Sequence, residues 1–170
     1  QGGFCRSGTG CFPHQKFSTM STISMPMRFW ASLVPAPMWG VQVTAETAPH
    51  YFTLTDADVI VKGGDRTIHH YCIAPEGMTV DTHRKMNPPL RSSADRDAVI
   101  EGLRDGTLDV IATDHAPHSA DEKSRPFINA PFGVIGLETS FAVSNTILIR
   151  EHAFTPLRLI ELMSTAPARI

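Results

Sequence analysis

The stretch Thr113-Asp114-His115-Ala116-Pro117-His118 follows directly on Leu108-Asp109-Val110-Ile111-Ala112. A short apolar run of this kind reads as a buried strand, here over 108–113. In α/β enzymes the reactive side chains collect where strands end. Asp114 stands at such an end, with histidines one and four residues further on. That makes it the candidate for a metal-bound carboxylate that moves a proton. Just upstream, 93–104 reads as a helix. Ser92 or Ser93 caps it, acids occupy its first turn, and Asp105-Gly106 closes it, with Ala98, Val99 and Leu103 on one face. A helix that runs straight into a strand is an αβ unit and favours a parallel sheet or barrel.

The flanking segments differ in texture. Residues 1–39 are rich in Gly, Ser, Thr and Met, and no helical or strand period persists in them. They read as an irregular leader, either disordered or outside the native reading frame. From Gly40 the texture is that of an enzyme. A β-branched strand over 41–46 leads into Glu46-Thr47-Ala48-Pro49-His50-Tyr51, where His50 reads equally as a structural histidine and as a site residue. Thr55 is placed to cap a short helix, and Val59-Ile60-Val61 reads as a short strand before a turn at Lys62-Gly63-Gly64-Asp65. His69, His70 and His83 tempt as metal ligands, but neighbouring histidines in a strand point to opposite faces. They read better as a surface loop.

Lys85-Met86-Asn87-Pro88-Pro89-Leu90-Arg91 is a stiff segment, because its prolines fix φ and restrict the residue before them. It suits the recognition of a polar ligand through Asn87 and Arg91, or it is a plain strand-to-helix connection with Arg91 solvated. Ser119 to Asn129 is charged and polar, and reads as a mobile loop over the site. Ala130–Gly136 is Gly-rich and lets backbone approach a ligand. Leu137 to Ile149 reads as a buried helix, and Thr155-Pro156 opens another that runs to about Met163.

The chain has 170 residues, a net charge of −2 and three cysteines, Cys5, Cys11 and Cys72. This length supports one domain with a core. The odd, sparse cysteines argue for a reducing compartment rather than a disulfide framework. Cys5, Cys11 and His14 fit no common zinc spacing. No basic stripe points to nucleic acid, and no apolar run is long enough to span a membrane. No secretory signal is read at the N-terminus. The expected location is cytoplasmic.

Four motifs carry a resemblance: Glu46–Tyr51, Lys85–Arg91, Asp105–His118 and Ala130–Thr139 (ETAPHY, KMNPPLR, DGTLDVIATDHAPH, APFGVIGLET). In order and spacing they are similar to those of bacterial dihydroorotases, cyclic-amide hydrolases of the amidohydrolase superfamily. The resemblance covers about residues 40–170. It implies an α/β fold, the incomplete C-terminal portion of a metal-dependent (β/α)8 TIM barrel, with 41–46 and 108–113 as its last two strands. It also implies Asp114 as metal ligand and catalytic proton shuttle. His118 and Asn87 would contact dihydroorotate or N-carbamoyl-L-aspartate, and Pro131 and Gly133 would line the pyrimidine with backbone groups. Arg91 would belong to the scaffold. The implied cofactor is Zn2+, as one or two ions. Beyond the small-molecule substrate, the implied partners are further copies of the chain or an aspartate transcarbamoylase.

The family's remaining metal ligands do not appear in this sequence. No His-x-His pair is present, and Ser24-Met25-Pro26-Met27 stands where a His-x-Ser-Thr segment is expected. A single Asp cannot hold a catalytic zinc, which takes about three protein ligands. The chain alone is therefore expected to be inactive. With two strands of an eight-stranded barrel, it is also expected to be poorly soluble or disordered when isolated. An allantoinase- or hydantoinase-like hydrolase and a non-catalytic scaffold are the alternatives.

Overall fold

The computed structural model describes residues 44–62 and 78–170. Four short strands occur there: β1 (Glu46–Thr47), β2 (Ile60–Lys62), β3 (Met78–Val80) and β4 (Val110–Ile111). β1 and β4 pair in parallel, Glu46 opposite Val110 and Thr47 opposite Ile111. β2 and β3 form a separate antiparallel pair with Ile60 opposite Val80. The parallel pair meets the expectation of a barrel piece, and among the described residues it is not extended into a closed barrel.

The strand expected over 108–113 is shorter than read, spanning only Val110–Ile111. Within the described part of 41–46, the ladder begins only at Glu46. The reason lies in Asp109, whose carboxylate Oδ2 accepts the Ala45 N–H at 2.8 Å while its own N–H donates to the Ala45 carbonyl at 2.9 Å. One acidic residue inside an apolar run thus fixes the register from the side. At the other end, the Ala112 N–H still donates to the Thr47 carbonyl at 2.8 Å. The chain then turns, because Asp114 has φ +49°. Asp tolerates this left-handed conformation, but no strand can continue through it.

Helix α1 (Ser93–Asp105) matches its expected span. Ser92 Oγ accepts the Asp95 N–H, and Gly106 closes the helix at φ +88°. Its buried residues are Ile100, Gly102 and Leu103, and partly buried Val99 packs on the same core. Residues 99, 100 and 103 share one helical stripe, and Leu103 lies nearest its centre. Thr55 caps the single turn Asp56–Val59, as its position suggests.

Two C-terminal readings change. The segment expected as a mobile loop after His118 contains helix α2 (Ala120–Lys123). Its Ser119 and Glu122 form a reciprocal capping box. The helix expected from Leu137 begins only at α3 (Ser140–Ser144) and widens into π geometry over Asn145–Glu151. Ser144 and Thr146 hydroxyls donate back to the Ser140 and Ala142 carbonyls, which competes with the regular ladder. This helix is not wholly buried either, since Leu137 is 63% and Phe141 59% exposed. Helix α4 (Pro156–Ile160) starts as read, with Thr155 Oγ1 accepting the Arg158 N–H, and it too continues as a π segment over Glu161–Thr165. The turn at 63–65, the histidines at 69 and 70, the cysteines and the leader lie outside the described residues.

One core joins these parts. Phe52, Ile100, Leu103, Leu108, Ile111, Leu148, Phe154, Leu159 and Leu162 pack together. A smaller one gathers Ala48, Tyr51, Met86 and Leu90, with Leu54, Val59 and Val134 at its margin. Arg158 ties α4 to α1 by donating to the Leu103 carbonyl at 3.0 Å, one of the free acceptors at a helix C-terminus.

Asp109→Ala should cost about 1.5–3 kcal/mol, the range for a hydrogen bond to a charged group, read from the urea midpoint of the chain. Acid should act through a second carboxylate. The Thr55 N–H bond, with help from the Thr55 hydroxyl, Arg84 and Arg96, holds the Asp58 carboxyl below its usual range against a smaller effect of burial. A depressed carboxylate stabilises the fold above its unfolded pKa of about 3.9 and loses that contribution as pH falls through its folded value. Asp58→Ala should therefore lower stability at pH 7 and leave a shallower decline towards pH 3.

Candidate active site

The parallel pair brings the two strand ends together. Beyond β1 the chain forms a single turn, Pro49–Tyr51, and beyond β4 it reaches Asp114. His50 is buried, and its Nε2 lies 3.5 Å from Asp114 Oδ2. That nitrogen has no hydrogen-bond partner of good geometry, and neither has the buried Glu46 Oε2. Burial holds the His50 imidazole below its usual pKa, against an opposing pull from Asp114. Burial, and then the Asp114 charge, push the Glu46 carboxyl up. Tyr51 is pushed up for the same two reasons and stays a neutral phenol. His50 is therefore placed at the candidate site, beside its acid. Asp114 itself is 45% exposed at its side chain and faces outward.

The smaller core holds the other motif segments against this corner. Tyr51 stacks at a tilt on His50, 4.1 Å between ring centres, and its hydroxyl donates to the Pro88 carbonyl at 3.0 Å. This anchors the segment that presents Asn87, which is exposed. Arg91 points away, 3.9 Å from Asp95, which suits a scaffold residue. Val134 bridges to His115 in parallel fashion, and the Ala116 N–H donates to the Val134 carbonyl at 2.9 Å. Asp114, His118, Asn87, Pro131 and Gly133 thus sit on segments that share one set of contacts.

Each candidate has a local role of its own. His118 Nε2 lies 2.8 Å from the Phe132 carbonyl, and its Nδ1 is 3.8 Å from Glu122 Oε2. The Gly133 N–H donates to the Lys85 carbonyl at 2.9 Å, while the Pro131 and Gly133 carbonyls accept from Lys123 Nζ at 3.0 and 2.7 Å. His115 is exposed and acts as a latch on the neighbouring loop. Its Nδ1 accepts the Gly136 and Leu137 N–H groups at 3.0 and 3.3 Å, so the proton of its neutral form is on Nε2.

Two glycines explain how closely the 130–136 loop lies on the Asp114 segment. A Cβ on Gly136 would come within 2.5 Å of the Thr113 carbonyl oxygen, and one on Gly133, at φ +113°, within 2.5 Å of the Ala116 Cβ. The sequence signal for this was the Gly spacing. Nothing in the sequence signalled Tyr51, Lys85 or Lys123 as the ties between segments, since each bonds a carbonyl far along the chain.

The metal requirement is only partly met here. Asp114 and His50 offer two donors where a catalytic zinc takes about three from the protein. Among the described residues, no group of three or more His, Cys, Asp or Glu could hold a metal ion. These residues alone therefore do not form the metal site. No described helix is long and apolar enough to cross a membrane.

The motif order and this geometry recur in known proteins. No family model matches the chain. A dihydroorotase of Clostridioides difficile (strain 630) is 50% identical over 131 residues, 77% of this chain and 27% of the relative. One of Desulforapulum autotrophicum is 55% identical over 130 residues, 76% of this chain and 26% of the relative. Over about three quarters of its length the chain is thus similar to dihydroorotases. It spans about a quarter of the length of these curated relatives. Among solved structures, the L-hydantoinase of Arthrobacter aurescens superposes with a TM-score of 0.68 at 24% identity, covering 88% of this chain and 30% of that one. The dihydroorotase of Saccharomyces cerevisiae, in complex with 5-fluoroorotic acid, superposes at 0.56 with 17% identity, covering 75% and 29%. Both show the fold alone, an α/β barrel matched over part of its length.

Gly136→Ala should push the loop off the Thr113 carbonyl and break the His115 latch. Amide exchange at Gly136 and Leu137 should rise by about tenfold or more, with the helix α1 amides unchanged.

Proposed function

We propose that this chain supplies the substrate-facing part of a dihydroorotase, the enzyme that interconverts N-carbamoyl-L-aspartate and L-dihydroorotate in pyrimidine biosynthesis, in the cytoplasm. The observation that carries the reading is that the segments bearing Asp114, His118, Asn87, Pro131 and Gly133 are tied to one another through Tyr51, Lys85 and Val134, in a chain about half identical to dihydroorotases over 130 residues. Half-exposed Asp114 is free to work as a base. In ring opening it accepts a proton from the attacking water and returns it to the ring nitrogen as the C–N bond breaks. The one proton gained is the one delivered, so a single carboxylate serves both steps. His118 and Asn87 hold the exocyclic carboxylate of the substrate through charge-assisted and amide hydrogen bonds. Pro131 and Gly133 bring backbone against the ring.

Asp114 would also be one corner of a zinc site, of one or two ions, completed by donors outside the described residues. The bound ion would supply an acidified water and a polarised carbonyl. A self-associated state or a transcarbamoylase partner fits the reading. A hydantoinase reading draws on the superposed folds alone, at identities that do not carry a substrate.

The isolated chain should open no dihydroorotate ring at any zinc concentration. Metal-dependent turnover by the chain alone, abolished by Asp114→Asn, would overturn the need for outside ligands. Joined to the remaining span of a dihydroorotase relative, it should turn over L-dihydroorotate, and Asp114→Asn should lower kcat by about 10²–10⁴-fold. A joined protein that prefers hydantoin to dihydroorotate would overturn the substrate assignment.

A further inference from the structure

The 128–133 backbone carries no helix or strand ladder, yet it lies over the candidate site. Two lysines from other segments organise it. Lys85 is 8% and Lys123 5% exposed, among the most buried polar side chains described. Lys85 Nζ donates to the Ile128 and Ala130 carbonyls at 3.2 and 2.7 Å, and sits 4.5 Å from the Phe132 ring centre and 5.3 Å from that of Phe127. Lys123 Nζ donates to the Thr82, Pro131 and Gly133 carbonyls at 3.1, 3.0 and 2.7 Å. Thr82 Oγ1 closes the arrangement by donating to the Lys123 carbonyl. An ammonium has three N–H donors, so Lys123 is fully satisfied by these carbonyls.

No carboxylate forms an ion pair with either ammonium among the described residues. Backbone oxygens take the place of counterions. A buried cation without a carboxylate is costly unless its donors are filled. That cost appears at Lys123, where burial first, and then the Lys85 charge, hold the pKa below its ordinary range, opposed by Asp81. Pro131 and Gly133 are also the residues proposed to line the pyrimidine. Gly133 in turn lies on Ala116, between Asp114 and His118.

We propose that Lys123, assisted by Lys85, is a positioning residue for the substrate. Its ammonium gathers the Pro131 and Gly133 carbonyls and so sets the height of the loop above Asp114 and His118. This rests on the dihydroorotase reading for its ligand, but the clamp itself does not. Lys123→Met keeps the side chain's length and removes the ammonium.

Hydrogen exchange on the 170-residue chain, carried as a soluble fusion, tests both parts. In Lys123→Met, peptides containing Gly133 and Ala116 should exchange at least about tenfold faster, while Arg125→Met, an exposed cation two residues on, should leave them unchanged. N-Carbamoyl-L-aspartate should slow exchange in these peptides in the wild-type chain and not in Lys123→Met. Lys123→Cys alkylated with bromoethylamine carries a lysine-like ammonium and should restore both effects, with identically treated wild type as the control for Cys5, Cys11 and Cys72. Unchanged exchange in Lys123→Met overturns the proposal. So does faster exchange that the restored ammonium does not reverse, or ligand protection that survives in Lys123→Met. Absence of ligand protection in wild type, with the exchange difference intact, removes the dihydroorotase reading and the positioning role with it.

Discussion

Everything at the site depends on the four residues of the β1–β4 pair. The parallel register of Glu46 on Val110 and Thr47 on Ile111 brings two strand ends to one place. A parallel pair is less stable per residue than an antiparallel one, and it needs a crossover to form. Here the crossover includes α1, whose Ile100 and Leu103 pack on Ile111 and Leu108 in the larger core. So short a ladder tolerates register slip unless something pins it. Asp109 does so from outside the ladder, with both its side chain and its N–H bonded to Ala45. The His50–Asp114 approach follows, since each residue is a few positions past a pinned pair.

The sequence was most legible where one local rule acted alone. Ser92, Gly106, Thr55 and Thr155 cap what their positions suggested, because capping is settled within three or four residues. It was less legible where a distant group overrode the local pattern. The run 108–113 looked like six residues of strand, but the turn at Asp114 cut it to two. The polar segment after His118 looked mobile because it is charged. Its charges instead form a capping box and, at Lys123, a buried tie to residues 82, 131 and 133. The apolar stretch from Leu137 looked buried, yet Leu137, Phe141 and Leu157 remain largely exposed. Large apolar side chains left bare around two open strands suit a piece about a quarter the length of its relatives, whose partner surfaces lie elsewhere in a barrel.

The site residues divide in the same way. Asp114 stands out as a candidate because an acid at a strand end, in that motif, has few structural uses. Asn87 stands out as a candidate because prolines stiffen its surroundings. Glu46 and His50 could not be separated from scaffold on sequence grounds. What distinguishes them is burial without a hydrogen-bond partner, next to an acid that raises the Glu46 pKa. Buried polar atoms are nearly always paired in folded proteins. Three orphans, Glu46 Oε2, Thr47 Oγ1 and His50 Nε2, nonetheless lie within one strand and its following turn, on the His50 side of Asp114. In the 131–133 loop, by contrast, the Pro131, Phe132 and Gly133 carbonyls all have side-chain partners.

That asymmetry bears on how such a site is built. On the proposed reading, the metal side would need donors from other strands, since no group of three among the described residues could hold an ion. The proposed substrate side is organised differently. Its order comes from side chains that bind main-chain oxygens directly: Tyr51 on Pro88, Lys85 on Ile128 and Ala130, Lys123 on Thr82, Pro131 and Gly133. Such bonds are local to the loops they join and do not depend on barrel closure. A charged donor to a buried carbonyl is worth more than a neutral one, and the loss of either partner leaves an unsatisfied buried group. The loops are therefore held about as firmly as a ladder would hold them, although they contain almost none.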